Sequence, residues 1–285
     1  MHWKPDFNYV LICLLFLLNS NYLFAGGEAG HSGGRAAGIG GATVSLIDGW
    51  SVFHNPGALC MLDQFTISTS TSRLHLVEGL NYQGLGISWP TNSGSFGLSL
   101  NYLGFSRYNE QRITFAYSRS LAPKLGIGLQ FNYLTTGING YGRSNSFTGT
   151  FGIWYSPLKA LSIGLSLFNP FRVSVSPELN EEIPMVFTLG ASYAFSENLL
   201  LAFDIEKNID QPLQVRNGLE YKLIDLLYVR AGISTAPIAA SCGIGFHLKN
   251  IDIDLAASVH RFIGVTPTLG IAWLPNRNKK LPSNK

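Results

Sequence analysis

"KLGIGLQFNYL", Lys124 to Leu134, decides the fold. In an extended chain Leu125, Ile127, Leu129, Phe131 and Tyr133 share one face, while Gly126, Gly128, Gln130 and Asn132 share the other. That period of two is the signature of a β-strand. It recurs in "SFGLSLNYL" (95–103), "LSIGLSLF" (161–168), "MVFTLGASYAF" (185–195), "LLLAFDIE" (199–206), "PLQVRNGLEY" (212–221), "AASCGIGFHL" (239–248) and "IDIDLAASVH" (251–260). With the weaker segments included, about fourteen strands of roughly 9–11 residues follow, ending in "TPTLGIAWLP" (266–275); tilted strands of that length cross a bilayer.

The composition of the two faces separates a membrane barrel from a soluble sandwich. A sandwich turns its polar, charged face to water. Here the second face is mostly Gly, Ser, Ala and Thr, and charged residues make up only 13% of the chain. The apolar face often ends in an aromatic: Trp89, Tyr102, Tyr117, Tyr133, Tyr155, Tyr193, Tyr221 and Trp273. Such girdles mark the edges of the hydrocarbon layer. Lipid leaves the polar edge of an open sheet unsatisfied, so the strands have to close on themselves. The expected fold is all-β, a closed antiparallel transmembrane β-barrel.

Connection lengths point the same way. Alternate connections are tight: "PTNSGS", "RSLAPK", "SPLKA", "SEN", "LID" and "KN". The other set holds both expected long loops, "TTGINGYGRSNS" (135–146) and "NPFRVSVSPELNEEIP" (169–184). Outer-membrane barrels put their short turns in the periplasm, which places both termini there.

Residues 1–25 read as a signal peptide, with Lys4 before the apolar run "VLICLLFLL" and Ala25 before the cleavage point. Cys13 lies inside that run. Of the other two cysteines, an oxidising compartment permits a Cys60–Cys242 disulfide, but their settings read better as small apolar positions. The net charge of +3 is concentrated in a basic tail, 276–285, with Arg277, Lys279, Lys280 and Lys285. No basic stripe for nucleic acid is visible elsewhere.

Between leader and barrel (64–275) lie residues 26–63, containing "GGRAAGIGGATVSLIDGWSVFHNPGALC" (33–60). A fourteen-stranded lumen is wider than its own side chains can fill, and this is the part of the chain not needed for strands. It is expected to be a lumen plug, or hatch. Small residues on the inward faces of strands 3, 5, 7 and 12 leave it room. Inward charges fall on later strands: Asp204, Glu206, Arg216, Glu220, Arg230, Asp252 and Asp254. Arg35 and Asp48 of the plug are candidate partners for them, and satisfied wall charges are favoured over a ligand role.

The same stretch resembles the N-terminal segment of the FadL-like superfamily of outer-membrane barrels. Gly33, Arg35, Gly38, Gly40, Gly41 and Ala42 match its small-residue run, Asp48 its acidic position, and Asn55-Pro56 its Asn-Pro-Ala motif, with Gly57 in place of the alanine. The resemblance implies a barrel of about fourteen strands with a hatch. "EIPMVFTLGASYAFSENLLLAFDIEKN", "NGLEY" and "YVRAGIS" are more similar to the PorV/PorQ branch, which serves the type IX secretion system.

Two functions follow from that resemblance. The first is a PorV/PorQ-like accessory that docks secretion-system components or exported proteins, with 169–184 and its Phe171, Arg172, Glu178, Glu181 and Glu182 as the docking loop. The second is a FadL-like passive channel for a hydrophobic small molecule. Either would sit in outer-membrane lipid. No enzyme motif is present: "GIGGAT" puts Thr43 where a dinucleotide fingerprint needs glycine, and neither a nucleophile elbow nor a zinc motif occurs. No cofactor is expected. His247, Asp252, Asp254 and His260 are a conceivable metal group across strands 12 and 13, with polar wall the preferred reading. His54 either lines a passage or hydrogen-bonds within the plug.

Overall fold

A computed structural model describes residues 31–140, 142–176 and 181–275. The leader, the first residues of the plug segment and the basic tail lie outside the described residues. So does part of the 169–184 connection, including Glu178.

The barrel opens with β1 (Thr66–Arg73), β2 (Asn81–Thr91), β3 (Gly94–Phe105), β4 (Tyr108–Ala122) and β5 (Leu125–Ile138). It continues through β6 (Gly142–Leu158), β7 (Leu161–Phe168), β8 (Val186–Ala194), β9 (Leu199–Asn208) and β10 (Gln214–Ile224). The last strands are β11 (Leu227–Thr235), β12 (Ile238–His247), β13 (Ile251–His260) and β14 (Gly264–Trp273). All neighbours are antiparallel, and β1 pairs with β14, Thr69 opposite Ile271, so the fourteen strands form one closed ring. Closure removes the free edges that lipid cannot satisfy.

The period of two sorts the side chains as the sequence requires. On β5, Leu129 and Phe131 are 62% and 57% exposed on the outside, while Asn132 is 2% exposed on the inside. The outward face is apolar over most of the ring, the surface a hydrocarbon layer accepts. The aromatics do not divide evenly between two girdles. Trp89, Tyr117, Tyr155, Tyr193, Tyr221 and Trp273 lie towards the tight-turn end, and Tyr102 and Tyr133 towards the other.

One expected loop is mostly strand. β5 runs to Ile138 and β6 starts at Gly142, so "TTGINGYGRSNS" is largely a continuing ladder, with Thr135 opposite Asn145. Tyr133 and Thr135 both donate hydroxyl hydrogen bonds to Asn145 Oδ1, at 3.0 and 3.1 Å. Beyond the hydrocarbon the outward face no longer has to be apolar, so a ladder continues there without alternation. The long connection is the other one, between Phe168 and Val186. It contains a short two-stranded pair, Ser174–Ser176 with Glu181–Glu182. Asn169, fully buried with φ 49°, fixes its course by donating to the Ile183 carbonyl at 2.7 Å.

Residues 31–62 lie against the inward faces of the strands. They carry α1 (Gly34–Gly38), α2 (Ser51–His54) and α3 (Pro56–Leu59). α1 packs on β12 and β13, and α3 on β5 and β6. Ile39, Ala42 and Leu46 bury themselves with Ala202 of β9; Val52 and Leu59 do so with Ala116 of β4. Cys60 follows α3, Cys242 faces outward on β12, and both are free.

Candidate functional site: the barrel lumen

Residues 31–62, the expected hatch, touch the wall backbone to backbone, which only a wall without side chains permits. A Cβ built on Gly164 of β7 would stand 2.0 Å from the Val44 carbonyl oxygen; on Gly232 of β11 it would stand 2.3 Å from the Gly40 nitrogen. Gly40 itself has φ 68°, a conformation that favours glycine. Gly33 packs under Trp50, Gly38 lies against Gly243, and Gly41 lies against His31. Gly57, the departure from the resembled Asn-Pro-Ala pattern, has a wall reason. Its Cβ would fall 2.7 Å from the backbone of Ile153.

Asn55 and Pro56 act as a clamp. Pro56 opens α3, where its missing N–H costs nothing. The Asn55 carboxamide accepts from Gly57 N at 2.9 Å and donates to the carbonyls of Val44 (2.7 Å) and Ile153 (3.0 Å). One buried side chain therefore caps a helix, ties two hatch turns together and grips β6.

Charge holds the opposite flank. Arg35 donates to Asp48 at 2.8 Å and forks onto both oxygens of Glu220 at 2.7 and 2.9 Å. Glu220 also accepts from Arg230 at 2.6 Å, and Arg230 donates to Asp254 at 2.5 Å. Arg216 forks onto Glu206, at 2.8 and 2.9 Å. Asp204, fully buried, accepts the backbone N–H of Thr43 at 2.7 Å and of Val44 at 3.0 Å. Arg35 thus meets the wall, whereas Asp48 bonds within the hatch to Arg35 and to Trp50 N. Asp204→Ala is expected to cost about 1–3 kcal/mol, because two buried donors lose the acceptor they share. Urea unfolding of the vesicle-embedded protein measures it, and an unchanged midpoint would exclude Asp204 from the anchor.

The conceivable metal group does not assemble. His247 and Asp252 flank the tight turn between β12 and β13, with His247 Nδ1 3.8 Å from the Asp252 carboxylate. His260 lies at the other end of the ring beside His75, ring centroids 5.8 Å apart. Among the described residues no three acidic, His or Cys side chains form a metal-binding group.

Above the hatch, at the end away from the tight turns, the lumen holds an open cavity of about 1360 Å³. Its floor includes His31, Ser32, Phe53 and His54; its walls include Tyr82, Asn101, Leu103, Arg112, Gln130, Leu134 and Phe168. His54 does both things its sequence position allowed: it lines the cavity and its Nε2–H donates to the Ser32 carbonyl at 3.0 Å. Burial lowers its pKa from the ordinary imidazole value, which favours that neutral, donating form. The Ser32 hydroxyl meets Tyr82 Oη at 3.0 Å, and Asn101 Nδ2 donates to both at 2.8 Å.

Sequence reading missed Arg112. It lies over the Phe168 ring, its guanidinium carbon 4.8 Å from the centroid. The signal was its phase: Arg112, Thr114 and Ala116 share the inward face of β4. β4 starts at Tyr108, before its apolar alternation does, so the alternation alone does not include Arg112.

Neither a protein-family model nor a curated protein matches the chain. Solved structures do resemble it. The CymD monoaromatic hydrocarbon channel superposes with a TM-score of 0.69 at 13% identity, over 87% of this chain and 99% of that one. The toluene transporter TodX of Pseudomonas putida gives 0.67 at 14%, over 86% and 98%. A FadL homologue of Pseudomonas aeruginosa gives 0.66 at 12%, over 85% and 98%. At such identities the likeness is one of fold. The chain is a closed fourteen-stranded barrel sharing its fold with FadL-like hydrocarbon channels.

Proposed function

We propose that the protein is a passive outer-membrane channel for small hydrophobic molecules, with residues 31–62 as the plug of its lumen and both termini in the periplasm. The observation that carries this reading is the cavity of about 1360 Å³ standing open over the hatch. It is large enough for a one-ring or two-ring passenger, and it lies at the end that the connection lengths assign to the cell exterior. The fold shared with hydrocarbon channels supports the same reading. Secretion docking, the first expectation from the sequence, draws no support from these neighbours, which favour its alternative, the channel.

Uptake in whole cells tests the proposal, since the lipopolysaccharide leaflet is the barrier such a channel bypasses. A Gram-negative host producing the protein is expected to take up radiolabelled toluene several-fold faster than the same host with an empty vector. Equal initial rates, with the folded protein verified in the outer membrane, would overturn the channel reading.

A further inference from the structure

Among the described residues Arg35, Arg112, Arg143, Arg216 and Arg230 face the lumen or line its cavity, and three of them are neutralised. Arg35, Arg216 and Arg230 each meet a carboxylate within 2.8 Å. Arg112 meets none within ion-pair distance among the described residues. Glu110 lies two residues along the same face, and its carboxylate accepts the Tyr108 hydroxyl. What Arg112 does have is the face of Phe168, 4.8 Å from its guanidinium carbon. A ring face supports a cation and fixes its plane, but leaves its charge in place. The guanidinium stays protonated under all ordinary conditions.

We infer that Arg112, stacked on Phe168, is an anion-recognition site of the lumen cavity, and that the preferred passenger is a compact aromatic carboxylate. This rests on the channel reading above and narrows it. Stacking leaves the edge of the guanidinium for the two oxygens of a carboxylate, the geometry in which such pairs bind best. Apolar surface close by is limited. Leu134 is the cross-strand neighbour of Arg112, and Leu103 lies two residues along β3 from its other neighbour, Asn101. Phe168 and Phe53 add two ring faces, and Val186, the cross-strand neighbour of Phe168, extends the apolar surface. Farther from Arg112 the wall is mixed, with Gln130, Thr135 and Ser146 set among Leu74, Ile138 and Pro237. One ring fits this patch beside the Arg112–Phe168 stack, whereas a long chain would have to run on over mixed wall. A neutral hydrocarbon would strip water from Arg112 and return no counter-charge.

The test compares 4-ethylbenzoate with ethylbenzene, one apolar body with and without the charge, by titration calorimetry on the full-length protein in nanodiscs near neutral pH. The acid is expected to bind about tenfold tighter, the scale of a charge-assisted hydrogen-bond pair. Arg112→Gln is expected to abolish that preference, weakening acid binding about tenfold while ethylbenzene, spared the desolvation of a cation, binds at least as tightly as before. Glu110→Gln, which removes the nearest competing carboxylate, should tighten acid binding. If Arg112→Gln does not fold, the Glu110→Gln titration decides: tightening supports the inference and no change overturns it. Equal affinity for the two ligands, unaffected by Arg112→Gln, would overturn the anion site while leaving the hydrophobic channel standing. Binding of neither ligand would remove both.

Discussion

Arg230→Met is expected to lower the unfolding free energy by about 3–5 kcal/mol, the cost of breaking a buried ion pair from one side. The Arg230 side chain is 0% exposed and bridges Glu220 of β10 to Asp254 of β13. Its loss is felt unequally. Glu220 keeps the two-pronged contact with Arg35, whereas Asp254 is left buried without a cation. A second substitution therefore separates pairing from packing. Arg230→Met combined with Asp254→Leu should recover most of the stability, because an apolar replacement of a whole pair is often neutral. Urea titration in lipid vesicles measures both proteins. Equal losses in the single and double variants would show that Arg230 acts through packing alone.

Gly164→Val is expected to evict the hatch and raise single-channel conductance by roughly tenfold, towards that of an unfilled barrel of this strand number. Gly164 sits between Trp154 and Gly190, facing inward. Its Cβ position is 2.0 Å from the Val44 oxygen and 2.4 Å from the Val44 carbonyl carbon. Both are main-chain atoms, so no rotamer change relieves the clash. If residues 43–45 withdraw, Thr43 and Val44 lose Asp204, the Trp154 indole N–H loses the Ser45 carbonyl at 2.8 Å, and Asn55 loses Val44. The matched control is Gly149→Val on β6, whose nearest neighbour to an added Cβ is 3.7 Å away. Planar-bilayer recordings compare the two. Identical conductance in Gly164→Val, Gly149→Val and the unaltered protein would mean that the hatch does not set permeability.

Much of this was legible in the chain because a membrane barrel imposes a strict two-residue rule. Leu129 and Asn132 could be sent to opposite faces from their spacing alone, and "SEN" and "KN" could be read as tight turns between neighbouring strands. The rule lapses where lipid ends, which is why the β5–β6 ladder past Thr135 read as a loop. Partners in the lumen were less legible. Arg35 could be expected to meet a wall charge, but the choice of Glu220, 185 positions away, depends on how strand tilt and ring closure stack the inward rows. Gly57 read as a weakened motif, since the Ile153 backbone that excludes a methyl group there is not local in sequence. His247 and His260 shared an inward face on consecutive strands, yet antiparallel pairing sends them to opposite ends.

The junction between β1 and β14 also constrains the order of assembly. The ring is sealed by its first strand meeting its last, so the seam has to wait for the whole chain. The hatch is joined directly to that first strand, and it grips strands near both termini as well as β4 to β7. A finished cylinder offers no route for threading main chain against Gly164 and Gly232. The sheet therefore has to wrap around its cargo of short helices before it is stitched shut, which makes residues 31–62 a mandrel for the barrel, whatever they do once it is closed.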